Sequence, residues 1–207
     1  MTLELTLQER ADHYHAMFPN YPRLLVDKGF LMGNWLIGNW YKKDNDYYGS
    51  YPHNFIHRMR ALFPDTEKEM HLFSGTIKEA PPYRLTYDVI DTYHPTIQDD
   101  VRNIGLHGDV FSKVDIVYAD PPYLAGDFKK YGVKPFSKAK AIRDLGSVMR
   151  GGTFLCWLDN IYPMFNKDTW HLVGTIEVRV GTNTRIRGLT IFRRVGGDEG
   201  ESYAEQY

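Results

Sequence analysis

Short apolar runs separated by stretches of helical period fill the middle of this chain, and two long alternating runs follow them. Met70–Phe73, Val114–Ala119 and Thr153–Leu158 predict buried strands, because continuous apolar runs of this length suit a sheet covered on both faces. Tyr83–Ile90, after the Pro81-Pro82 turn, predicts another strand ending at Asp91. Leu106–Phe111 predicts a short strand or strand-like turn. Helical period marks Leu3–Met17 and the segment from Asn54 to Pro64, where Phe55, Ile56, Met59, Leu62 and Phe63 share one face and Arg58 and Arg60 lie opposite. Pro95–Ile104 predicts a further helix, and Ser137–Met149 another, capped by Ser137 and closed by Arg150-Gly151-Gly152. Leu172–Val180 and Arg185–Arg194 alternate around Gly181-Thr182-Asn183, a hairpin signal.

The order of these elements predicts an α/β fold, a mostly parallel sheet with an antiparallel C-terminal hairpin. Residues 51–195 form the expected main domain. Residues 1–50 read as an N-terminal appendage, a target-binding or capping element. Within it, Gly33-Asn34-Trp35 and Gly38-Asn39-Trp40 predict a hairpin or paired turns, and Lys42-Lys43-Asp44-Asn45-Asp46 a polar loop. The tryptophans form either a local hydrophobic cluster or a surface for stacking bases. Residues 196–207 read as a flexible tail.

Composition narrows the function classes. With 207 residues, 43% of them hydrophobic, the chain has enough material for one well-buried core. A formal net charge of -1 excludes a global field drawing it onto polyanions, so nucleic-acid binding needs a local patch. The single cysteine, Cys156, excludes a disulfide framework and a cysteine-based zinc site, and its apolar neighbours predict a buried thiol. The eight histidines show no ligand spacing, so no metal is expected. No apolar run approaches membrane-spanning length and no signal-peptide core precedes the helix, so a cytoplasmic setting is expected.

The candidate chemistry is Asp120-Pro121-Pro122-Tyr123, directly after the Val114–Ala119 strand. The carboxylate and a backbone carbonyl accept hydrogen bonds from an amino group, the ring stacks on a flat base, and the prolines stiffen the stretch and remove two N–H donors. Average composition produces this tetrapeptide in a chain of this size with odds on the order of one in a thousand. Ligands of such sheets sit at the C-terminal strand ends. Phe73-Ser74-Gly75, Asp91, Asp109 and the tetrapeptide all fall at such ends in the expected fold. Alone, Asp91 or Asp109 is an ordinary turn acid. Lys129, Lys130, Arg185 and Arg187 are either solvated surface or phosphate contacts.

These residues resemble the S-adenosylmethionine-dependent amino-methyltransferases, especially the DNA adenine-N6 type, from about Tyr51 to Val195. The resemblance implies the class I, Rossmann-like methyltransferase fold and S-adenosylmethionine as cofactor. It implies catalysis by Asp120, Pro121, Pro122 and Tyr123. Phe73-Ser74-Gly75 corresponds to the cofactor loop, although Ile77 stands where a second glycine is usual. Asp91, with Asp88 competing, corresponds to the acid on the ribose hydroxyls. Asp109 corresponds to the acid on the cofactor's adenine amine, with Val110 or Phe111 packing on the ring. Tyr51-Pro52 and Phe55 correspond to the element closing over the methionine end, and Asn183 to a polar residue facing the target base. The implied partner is DNA, with RNA adenine or a catalytically silent nucleic-acid-binding subunit as alternatives. The short loop Leu124–Phe136 leaves little chain for target reading, so short or loose sequence specificity is expected.

Overall fold

The computed structural model describes residues 5–37, 51–52, 54–180 and 186–196. Among them, one nine-stranded sheet runs in the order β1-β2-β8-β9-β7-β6-β3-β4-β5. The strands are β1 (Leu25–Asp27), β2 (Phe30–Ile37), β3 (Glu69–Leu72), β4 (Arg84–Asp88), β5 (Ile97–Gln98), β6 (Ile116–Ala119), β7 (Phe154–Asp159), β8 (Trp170–Val180) and β9 (Ile186–Arg194). The run β5, β4, β3, β6, β7 is parallel throughout. β9 enters antiparallel between β7 and β8. The expected α/β architecture, mostly parallel with an antiparallel C-terminal hairpin, is the one observed.

Alternation within the buried strands explains their continuous apolar runs. Ile116 and Tyr118 of β6 join one core, with Trp35, Met59 and Ile176. Val117 and Ala119 join the other, with Met70, Trp157 and Leu145. The first core is covered by α1 (Leu7–Met17) and α2 (Phe55–Leu62), the second by α5 (Lys138–Val148). Two short helices complete the set, α3 (Gly108–Phe111) and α4 (Ala125–Tyr131). A capping box between Thr6 and Glu9 starts α1 at Leu7 rather than at the expected Leu3. Ser137 caps α5 as expected, accepting from the Lys140 N–H at 3.2 Å.

Several sequence expectations are corrected. Gly33-Asn34-Trp35 is not a turn; it lies inside β2, paired in parallel with β8. The turn is instead Lys28-Gly29, both at positive φ (47° and 73°), which suits the twist of a two-residue hairpin. Trp35 is wholly buried against Tyr14 and Phe55, a core residue rather than a stacking surface. Its segment, expected as an appendage, contributes α1, β1 and β2 to the common sheet and core. Gly38-Asn39-Trp40, the 42–46 loop, the 181–185 hairpin tip and the 197–207 tail lie outside the described residues.

Helix and strand are exchanged between residues 95 and 111. The expected Pro95–Ile104 helix begins instead as strand β5, and the expected Leu106–Phe111 strand is helical, a 3-10 turn at Val101–His107 running into α3. Thr96 and Thr86 exchange backbone-to-hydroxyl bonds at 3.0 and 2.9 Å, which pin this segment beside β4. Asp100 then caps the helical stretch by accepting from the Arg102 N–H at 3.0 Å. Arg58, expected on the solvent face of α2, is buried: it donates to the Tyr14 hydroxyl at 2.9 Å and lies 4.1 Å above the Tyr21 ring.

Candidate active site

The sheet changes direction of growth between β3 and β6: β4 and β5 lie outward of β3, and the chain then returns to place β6 on its other side. At such a switch point the loops from the two strand ends diverge and leave a crevice. Asp120-Pro121-Pro122-Tyr123 leaves β6 there. Phe73-Ser74-Gly75 leaves β3 beside it, turning sharply because Phe73 and Gly75 both take positive φ (57° and 50°). A bulky side chain rarely holds that conformation, so the surrounding structure must enforce it. Asp88, at the end of β4, does part of this: its carboxylate accepts from the Gly75 N–H at 2.8 Å and the Ile90 N–H at 2.9 Å.

The Asp120–Tyr123 tetrapeptide is held from both ends. The Tyr123 hydroxyl donates to the Asp120 carboxylate. Asp127 accepts from the N–H groups of Tyr123 and Leu124, at 3.2 and 3.0 Å. The Lys138 ammonium donates to the Tyr123 carbonyl at 3.3 Å and to Asp159 at 2.6 Å. Asp159, 1% exposed at the end of β7, also accepts from the Trp157 indole at 3.2 Å. The Arg187 guanidinium lies 5.0 Å above the Tyr123 ring.

These residues open onto a cavity of about 220 Å³. Asp88, Asp99 and Asp100 line it with Val89, Ile90 and Val101, as do Asp120 to Tyr123 and Arg187; the Asp99 carboxylate is bonded to His107 and Asn103 and the Asp100 carboxylate to Arg102. Tyr131, Val133, Lys134 and Phe136 close the side, and Phe136 stacks on Phe73 at 5.4 Å. Acids among apolar side chains suit a ligand with hydroxyls and a flat heterocycle. The Ser74 hydroxyl, in a residue 4% exposed, is buried without a hydrogen-bond partner, and Ser74 is not part of the cavity lining.

Burial raises the Asp120 carboxyl from its ordinary 3.8 to about 7. Arg187, the Tyr123 hydroxyl and Lys138 oppose that rise, and the negative charge of Asp159 adds to it. Burial, reinforced by the Asp120 charge, pushes the Tyr123 and Tyr51 hydroxyls well above 10. Burial also raises the Cys156 thiol.

Of the residues singled out in the sequence, the cavity brings together Phe73, Asp88, Asp120, Pro121, Pro122, Tyr123 and Arg187. Ser74 and Gly75 form the adjoining turn. Tyr51 stacks on Phe55 at 5.1 Å, on the α2 side of the sheet, with Pro52 beside them. Asp91 borders a separate hollow with Thr92, His94, Pro95 and Gln98. Asp109 is exposed on α3, with Val110 next to it, and neither lines the cavity. Lys129 and Lys130 are exposed on α4. Asn183 and Arg185 lie outside the described residues. Sequence reasoning missed Asp99, Asp100 and Asp159; Lys134 and Lys138 were among the basic residues noted after the tetrapeptide, without their present contacts. The Asp-Asp pair after β5 was the available signal, hidden by reading its segment as a helix.

No cluster of three or more potential metal ligands occurs among the described residues, and no described helix is long and apolar enough to cross a membrane. No family model and no curated protein matches the sequence. Among solved structures the chain is similar to the crystal structure of TrmN from Thermus thermophilus, with 14% identity and a TM-score of 0.43. That likeness covers 62% of this chain and 44% of the other, so this chain spans less than half its length. Strand order and pocket geometry carry more weight than a likeness at this level.

Proposed function

We propose that this chain transfers a methyl group from S-adenosylmethionine to the N6 amine of adenine in DNA. One observation carries the proposal: Asp120-Pro121-Pro122-Tyr123 lines a cavity, at the sheet's switch point, that acidic and apolar side chains also line. The residues there fit the cofactor. Asp88, Asp99 and Asp100 are the acids available there for ribose hydroxyls and an adenine amine, and Val89, Ile90 and Val101 the apolar groups available for the ring. When bound, the cofactor supplies a methyl group on a positively charged sulfur.

The chain's own residues do the rest. An exocyclic amine is a weak nucleophile because its lone pair is delocalised into the ring. The Asp120 carboxylate and the Pro121 carbonyl accept its two N–H bonds and favour a pyramidal nitrogen with its lone pair free. To admit the amine, Asp120 gives up the Tyr123 hydroxyl, and the released ring stacks on the base. The base has left its helix, as chemistry on a paired base requires. A nitrogen–carbon bond forms as the carbon–sulfur bond breaks, and the proton shed afterwards passes to Asp120, whose raised pKa suits its uptake. Alignment of donor and acceptor supplies much of the rate.

Mass spectrometry of nucleosides from DNA incubated with protein and cofactor tests this directly. N6-methyladenine is expected, and Asp120→Ala should reduce it by roughly 100-fold or more while cofactor binding persists. Methyl groups on another nucleoside, or full activity in the variant, would refute the proposal. Paired DNA and RNA substrates in the same assay separate the two nucleic acids.

A further inference from the structure

Arg187 reaches the cavity from a strand that is otherwise core. By the two-residue period of a strand it shares a face of β9 with Leu189 and Ile191, which are buried in the core that also holds Ile116 and Tyr118 of β6. β9 runs antiparallel to β7, so its first residues lie beside the end of β7. Gly188 is in register with Asp159 of β7, and Arg187 itself with Val178 of β8. Pairing to both neighbours fixes the backbone there, while the side chain extends past the last core layer. The guanidinium lies 5.0 Å above the Tyr123 ring, and both groups line the cavity with Asp120. Among the described residues no hydrogen bond anchors the guanidinium in that place.

Three groups meet here: the Asp120 carboxylate, the Tyr123 ring whose hydroxyl donates to it, and the guanidinium over that ring. A nucleobase with an exocyclic amine replaces each contact in kind. The amine takes the place of the hydroxyl on Asp120, and the flat ring takes the place of the guanidinium on Tyr123. A guanidinium is itself planar and stacks on aromatic faces, whereas an ammonium is a compact point charge. Two planes that hold a base between them stand about 7 Å apart, twice an ordinary van der Waals separation. From 5.0 Å the guanidinium has to retreat by only about 2 Å, which its rotatable stem allows.

We propose that Arg187 is the second wall of the target-base slot: the base enters between its guanidinium and the Tyr123 ring, and both planes hold it while Asp120 and the Pro121 carbonyl take its amine. The inference rests on the proposed amine methylation and adds how the base is gripped. It makes Arg187 a base contact rather than a phosphate contact. A wall of this kind reads the flat face that every base has, so selection falls to Asp120 and the amine.

The test separates the plane from the charge. Arg187→Phe keeps a flat face and loses the charge; Arg187→Lys keeps the charge and loses the plane. Methyl transfer to randomised-sequence DNA is measured at about pH 9, above the Asp120 titration, so that the carboxyl is ionised in every variant. In Arg187→Phe, kcat/KM is expected to stay within about threefold of the unmodified chain, and in Arg187→Lys to fall by about tenfold or more, as loss of a stacking partner does. The reverse order makes the guanidinium a phosphate contact and overturns the slot. Equal losses assign Arg187 a structural role, and no loss in either variant assigns it none; both overturn the slot too. If the unmodified chain methylates neither DNA nor RNA, the amine-methylation reading fails, and the slot is judged on binding alone. The probes are then a short strand of deoxyadenosines and the same backbone without bases. Arg187→Lys is expected to weaken binding of the deoxyadenosine strand by about tenfold and of the baseless strand by less than about twofold. Equal weakening of both, or no weakening of either, overturns the slot.

Discussion

Asp120 sits where several charges disagree, and that makes its titration a readout of its neighbours. In the proposed reaction the group must be ionised to accept the amine, so kcat/KM should rise with pH through about 7. Lys138 lowers this pKa, so Lys138→Met should move the rise to higher pH. Asp159→Asn should move it lower, because a charge that raised the pKa is gone. A pH profile with both variants shifted the same way would contradict the arrangement. Stability is linked with its own sign. Because burial raises this pKa from 3.8, the folded chain binds a proton more tightly than the unfolded chain between those values, so stability falls as pH rises from about 4 to about 7. Asp120→Asn should therefore gain more in melting temperature at pH 8 than at pH 5, measured by calorimetry. The tetrapeptide was legible in the sequence because its chemistry is written in consecutive residues. Lys138 and Asp159 were not, because nothing local announces that side chains 21 positions apart meet.

Elements were legible where one force dominated. Buried strands and the capped helix α5 follow from apolar runs and a serine. The segment from 95 to 111 misled because its apolar spacing suits a helix, while the paired Thr86 and Thr96 hold it against β4. That exchange leaves Asp109 off the cavity, which Asp99 and Asp100 line instead. Close packing between elements was equally hidden, and glycines reveal it. A Cβ at Gly146 of α5 would lie 2.3 Å from the Thr169 side chain and 3.0 Å from the Trp170 indole. A Cβ at Gly174 of β8 would lie 2.7 Å from the Leu31 backbone oxygen. Alanine in mid-helix normally stabilises, yet Gly146→Ala should destabilise by about 1–3 kcal/mol, as overpacking does. Gly174→Ala should cost at least as much, since its obstacle is backbone. Urea unfolding checks both, and a stabilised Gly146→Ala would show that α5 can retreat from β8.

At the scale of the molecule, the parallel sheet and the antiparallel hairpin followed from element order. The place of the first residues did not, because β2 carries no marker of a partner so distant in sequence. Leu31 and Trp35 pack in the same core as Ile176 and Val178, so removal of residues 1–37 should abolish cooperative thermal unfolding. A sharp transition in the shortened chain would mark that segment as detachable. The same pairing sets an order of events during synthesis. Asn34 bonds Glu177 across 143 residues, and among the described residues β2 has only the three-residue β1 to pair with until β8 exists. Until β8 has been translated, β2 keeps one edge of unpaired backbone groups beside its apolar side chains, and a nascent chain in that state is a natural client for chaperones.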